Sequence, residues 1–246
     1  MISSYMFSPS TASPDKGFVK ICGVSSIKDA QLCARYGADA IGMLLTKPGQ
    51  CREPGSDRLA PDEAARLVAA LRGGLDTVLL VHASDPGEIV ALARHIKPSA
   101  LQVQSSVPPY DLLEVKKQCP EISIIKTFSV HPGVDIDELE AEIQRYVDNG
   151  AIDAVLLDSE RGGSGVVHDW ETSKEIVARF ASVPVLLAGG LNKDNVAQAR
   201  QRVGPYGVDV MTGVNSPGRR DRKDESRLRE FFKAWNEAVK VQTNER

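Results

Sequence analysis

Eight short apolar runs alternate with eight amphipathic segments from residue 18 onward, and this alternation limits the possible folds more than any other feature of the chain. The runs are FVKIC (18–22), DAIGMLL (39–45), DTVLLV (76–81), SALQVQ (99–104), ISIIKTF (122–128), DAVLLD (153–158), PVLLAG (184–189) and GVDVMTG (207–213). Each is too short for a helix and nearly continuous in aliphatic residues, as parallel strands buried on both faces are. The intervening segments have helical periodicity and open on helix-start residues, such as Pro61 with Asp62 and Glu63, Asp85 with Pro86, and Asp169. Eight strand–helix repeats in about 225 residues predict an α/β protein built as a single (β/α)8 TIM barrel. An open doubly wound sheet is the competing arrangement, and eight repeats without an extra domain favour closure.

The barrel is expected over residues 18–240. The Ser- and Pro-rich segment 1–17, MISSYMFSPSTASPDKG, reads as a disordered tail rather than a signal peptide, and the last few residues as dispensable. No apolar run approaches the ~18 residues of a membrane span. A net charge of −3 argues against nucleic acid or an anionic membrane as partner. Cys22, Cys33, Cys51 and Cys119 are widely spaced and form no Cys-x-x-Cys pair, so neither a zinc site nor a disulfide framework is expected. The expected compartment is the cytoplasm.

A barrel of this kind carries its chemistry where strands end and loops begin, with phosphate held after the seventh and eighth strands. The seventh run ends in Gly189 and Gly190, with a helix expected to start near Lys193. The eighth ends in Thr212 and Gly213. Glycines also serve simple tight turns, but two sets at the two expected strand ends point to an anion cradle. The sixth run stops at Asp158, a carboxylate that must face the barrel mouth or find a partner. Gly162, Gly163 and Gly165 follow, either a cover for a ligand or a plain surface loop. The first run ends in Cys22, which shares a strand side with Lys20. A lone cysteine is commonly a small core residue, and Asp158 at the same barrel face is what favours a chemical role.

These residues, KICG (20–23), RLAPDEA (58–64), LLDS with GGSG (156–159 and 162–165), VLLAGGLNKDNV (185–196) and PYGVDVMTGVNSPGRRD (205–221), together resemble the phosphoribosylanthranilate isomerase family of tryptophan biosynthesis. The likeness runs from about Val19 to Val239. It implies an Amadori rearrangement of N-(5-phosphoribosyl)anthranilate, an aminoaldose, to the aminoketose 1-(2-carboxyphenylamino)-1-deoxyribulose 5-phosphate, without cofactor or metal. By the resemblance Cys22 is the general base and Asp158 the general acid. Arg58 meets the anthranilate carboxylate, and Gly189, Gly190, Thr212 and Gly213 cradle the phosphate. The implied partner is a small phosphorylated aromatic substrate, handled by a monomer or a homodimer.

The chain departs from the family pattern in four places. Gln104 stands for a histidine, Met211 precedes Thr212 where small residues are usual, and Asn215 replaces an acidic residue. The loop TKPGQCREPGSDR (46–58) is long, which makes Arg52 a competitor of Arg58 as carboxylate anchor. Two other functions stay open on the sequence. One is a paralogue acting on another aglycone; the other is a non-catalytic barrel that binds a phosphorylated ligand.

Overall fold

The computed structural model describes residues 6–7, 17–47, 49–50, 52–159 and 167–244. Cys51 and the glycines Gly162, Gly163 and Gly165 lie outside the described residues. The strands are β1 (Phe18–Ile21), β2 (Ala40–Leu45), β3 (Arg58–Leu59), β4 (Asp76–Val81), β5 (Ala100–Val103), β6 (Ser123–Val130), β7 (Ala154–Ser159), β8 (Val185–Leu187) and β9 (Gly207–Val210). The helices are α1 (Ile27–Tyr36), α2 (Pro61–Leu71), α3 (Pro86–Ile96), α4 (Pro109–Gln118), α5 (Ile136–Asp148), α6 (Trp170–Arg179), α7 (Val196–Val203) and α8 (Glu225–Asn244).

All strand pairings within this sheet are parallel, and β1 pairs with both β9 and β2, so the sheet closes into an eight-stranded barrel ringed by helices. The two-residue β3 lies outside the barrel circuit. It hangs on the C-terminal end of β2, with Arg58 opposite Leu44, and this fixes the far end of the long loop at the barrel mouth.

Alternation along each strand sends one set of side chains inward and the other against the helices. The outward set builds the main core with the helix faces, where Ile21, Ile41, Leu79, Leu101 and Phe231 are fully buried. The inward set is apolar at the bottom, with Ala40, Val78, Ala100, Ile125, Leu156 and Leu186, and again at one side of the mouth, where Leu44 and Leu80 pack with Cys22. Met6 is buried in this lower layer, and Phe7 packs on Phe18 and Tyr206. Above that layer the interior turns polar and holds Lys20, Gln102, Asp158 and Asp209, all buried.

Local signals set most helix starts. Asp85 and Asp169 cap α3 and α6 by accepting from Glu88 N and Glu171 N. Glu63 accepts from Ala60 N at 2.8 Å at the start of α2. The exception is α7, which begins at Val196 rather than near Lys193. Asn195 Oδ1 accepts from Asn192 N and Asn192 Oδ1 from Asp194 N, both at 2.8 Å, so the two asparagines hold residues 192–195 in a side-chain turn that competes with the helix.

Candidate active site

The C-terminal ends of the strands surround an open cleft. Cys22, Arg58, Asp158, Gly189, Gly190 and Thr212 all line it. Gly213 sits behind Thr212, and a Cβ there would come within 2.1 Å of the Leu191 carbonyl oxygen, so glycine lets the turns after β8 and β9 pack side by side. Arg52 does not line the cleft. Its guanidinium donates to Ser56 O and to Ser25 Oγ at 3.0 Å, and it lies 3.7 Å from Glu63. Arg58 is held at the rim by donating to Leu45 O at 2.8 Å. Gln104 and Met211 line the cleft, whereas Asn215 is buried behind it.

Cys22, directly after β1, and Asp158, in β7, lie on different sides of the barrel and line the same cleft. Between them lies a buried ion pair: Lys20 Nζ donates to Asp209 Oδ2 at 2.7 Å, with Lys20 fully buried. Gly42 makes room for Lys20 and Cys22, because a Cβ there would lie 2.9 Å from both Lys20 Nζ and Cys22 Sγ. Strand alternation thus brings Lys20 and Cys22 inward together.

The electrostatics follow from this packing. Burial raises the Cys22 pKa; Lys20 and Lys223 pull it down and Asp209 pushes it up, leaving the thiol above its ordinary value. Burial also raises Asp158, helped by the charge of Asp209, and overcomes the hydrogen bond from Ser159 N to bring its pKa to about 6. Lys20 is lowered by burial but raised more by Asp209 and Cys22, so it stays an ammonium.

At the other side of the cleft the backbone turns sharply. Gly189 and Gly190 have φ of 83° and 64°, a left-handed conformation that glycine adopts without strain. A Cβ on Gly189 would meet His168 Nδ1 at 2.9 Å and Asp158 Oδ1 at 3.3 Å. The Gly190 carbonyl accepts from the side chains of Asn192 and Asn195. Among the described residues, the amides of Gly189, Gly190, Thr212 and Gly213 donate to no backbone acceptor. A set of N–H groups without a described backbone acceptor suits a phosphate. Among the described residues no group of three or more His, Cys, Asp or Glu side chains is arranged to hold a metal ion, and no helix is long and apolar enough to cross a membrane.

Sequence reading missed several residues that the fold brings here. Lys20 and Asp209 carried a usable signal, a single charge inside each of two apolar strands, which implies a buried pair. Arg220 lines the cleft and its Nε lies 3.5 Å from Asp57. His168 hydrogen-bonds Ser173 Oγ through Nε2 at 2.7 Å, and burial lowers its pKa to about 4. Neither Arg220 nor His168 stood out from its local sequence.

The fold and cleft define a class: a (β/α)8 barrel with glycine turns after its last two barrel strands and a thiol and a carboxyl group lining one cleft at the mouth. The family model for N-(5'-phosphoribosyl)anthranilate isomerase matches residues 19–234. The isomerase of that name from Methanocella arvoryzae is 39% identical over 222 residues, covering 87% of this chain and 95% of the relative. The structure of the Pyrococcus furiosus enzyme superposes with a TM-score of 0.73 at 27% identity, over 90% of this chain and 99% of that one. A phosphoribosylanthranilate isomerase in complex with reduced 1-(o-carboxyphenylamino)-1-deoxyribulose 5-phosphate superposes with a TM-score of 0.66 at 26% identity, over 90% and 99% of the two chains. The chain belongs to the N-(5'-phosphoribosyl)anthranilate isomerase family.

Proposed function

We propose that this protein isomerises N-(5'-phosphoribosyl)anthranilate by an Amadori rearrangement, with Asp158 as general acid and Cys22 as general base. The observation that carries the reading is the placement of these two groups at the ends of β1 and β7, lining one cleft with the turns after β8 and β9, whose amides have no backbone acceptor among the described residues. The amides of Gly189, Gly190, Thr212 and Gly213 hold the 5'-phosphate, and Arg58 at the rim pairs with the anthranilate carboxylate. Asp158 protonates the ribose ring oxygen, and the ring opens to a protonated Schiff base. Cys22 then removes the proton from C2, and the resulting enolamine tautomerises to the ketone. The related complex with a reduced product analogue supports this substrate class.

The electrostatics make a definite pH profile. The active form carries Asp158 protonated and Cys22 ionised, although Asp158 is the stronger acid of the two. Below about pH 6 the protonated fraction of Asp158 is constant and thiolate grows tenfold per unit, so kcat/KM rises. Between about pH 6 and the raised thiol pKa the two fractions change in opposite senses and kcat/KM is flat. Above the thiol pKa only the loss of protonated Asp158 remains, and the rate falls. Initial rates with freshly prepared phosphoribosylanthranilate from pH 5 to 10 test this. A rate peaking sharply at pH 7 contradicts these pKa assignments, and no turnover at any pH contradicts the function.

A further inference from the structure

Two lysines flank Cys22, and they differ in how their charges are met. Lys20 has Asp209 as a counter-ion at 2.7 Å. Lys223, from the segment before α8, is 3% exposed and has none at that range. Its ammonium donates to the Cys22 carbonyl oxygen at 2.6 Å and to Asn215 Oδ1 at 2.5 Å, a peptide oxygen and a neutral amide. Asp29, near the start of α1, and Asp57, just before β3, act on it only at longer range, together with the Cys33 thiol. Burying an ammonium without a carboxylate partner is unfavourable, and any neighbour able to carry negative charge is stabilised beside it. Cys22 is that neighbour, since Lys223 already holds its backbone.

We propose that Lys223 is a positioning residue of the isomerisation: it pins the Cys22 end of β1 through the carbonyl oxygen and stabilises the Cys22 thiolate, and the neutral Asn215 leaves its charge free to do so. This rests on Cys22 being the base. Burial keeps the resting thiol protonated, with Lys20 and Lys223 opposing it and Asp209 reinforcing it. Lys20 acts on Cys22 more strongly than Lys223, but Asp209 opposes Lys20 at 2.7 Å, whereas no carboxylate lies that close to Lys223. A carboxylate at position 215 would neutralise Lys223 in the same way.

The test reads the thiolate separately from turnover. Carboxamidomethylation of Cys22 by iodoacetamide, followed at pH 8 by peptide mass spectrometry on the full chain, is compared in wild type, Lys223→Met, Lys223→Arg and Asn215→Asp. Cys33 and Cys119, both buried, serve as internal controls for unfolding. Labelling of Cys22 falls about tenfold in Lys223→Met and several-fold in Asn215→Asp, as expected when one nearby cation is lost or neutralised. The kcat for phosphoribosylanthranilate falls by similar factors with KM little changed, and Lys223→Arg recovers part of both. Asn215→Asp is nearly isosteric and keeps the hydrogen bond, so it carries the test where Lys223→Met does not fold. Unchanged labelling and kcat in folded Asn215→Asp overturn the proposal. A wild type that shows the labelling effects without turning over phosphoribosylanthranilate instead overturns the isomerase function, and the positioning role with it.

Discussion

Asp158→Asn lowers kcat for phosphoribosylanthranilate by roughly 10²–10⁴-fold while KM stays within a few-fold of wild type. The amide has the size of the carboxyl group and accepts the hydrogen bond that Ser159 N donates at 2.8 Å, so the end of β7 keeps its shape. It has no acidic proton for the ribose ring oxygen, and ring opening must use water. A second signature separates this cause from simple damage. The break in the profile near pH 6 belongs to Asp158, the group that burial and Asp209 raise to about 6. In the variant that break disappears, and the residual rate follows the Cys22 thiolate, rising tenfold per pH unit toward the raised thiol pKa. Steady-state kinetics across pH checks both points. A variant within tenfold of wild type, or one that keeps the break near pH 6, removes Asp158 from the role of acid.

Asp209→Leu destabilises the fold by about 3–5 kcal/mol, because it leaves the ammonium of a fully buried Lys20 without its counter-ion. For a chain of this size that corresponds to a fall in Tm on the order of 10 °C. Lys20→Met strands Asp209 in the same way, and the Asp209 carboxylate, 8% exposed, has limited recourse to water. The double variant Lys20→Met/Asp209→Leu removes both charges and recovers most of the lost stability, since a buried ion pair is worth little against apolar packing of similar volume. It does not recover activity. Without Asp209 the Asp158 carboxyl loses the charge that helps raise it, and without Lys20 the Cys22 thiolate loses a stabilising cation. Thermal unfolding and kcat measured on the three variants separate the two contributions. Additive losses of stability in the double variant contradict this account of the pair.

Much of the architecture could be read from the chain because one physical rule governs it. A strand covered on both faces must be aliphatic, and a helix covered on one face must be periodic, so the eight repeats announce themselves. The strand ends were legible for the same reason: Asp158 and Gly189 interrupt aliphatic runs where a barrel turns to its loops. The features that escaped reading depend on contacts between distant segments. Lys223 lies in the charge-rich stretch RRDRKDE, which by itself reads as a solvated loop, and only packing of that loop against β1 buries it. Arg52 and Arg58 could not be ranked until β3 paired Arg58 with Leu44 and the loop folded Arg52 back onto Ser25 and Ser56. The late start of α7 was written in Asn192 and Asn195, but those residues are equally compatible with a helix start until the Gly190 carbonyl is placed beside them.

The most direct test is the decay of anthranilate-adduct fluorescence when freshly made phosphoribosylanthranilate is mixed with wild-type protein and, side by side, with folded Cys22→Ala. Fast decay in the wild type, slowed by roughly 10²–10⁴-fold in the variant, is the expected result. Equal decay in the two proteins contradicts Cys22 as the base, and no decay in folded wild type contradicts the isomerase function itself.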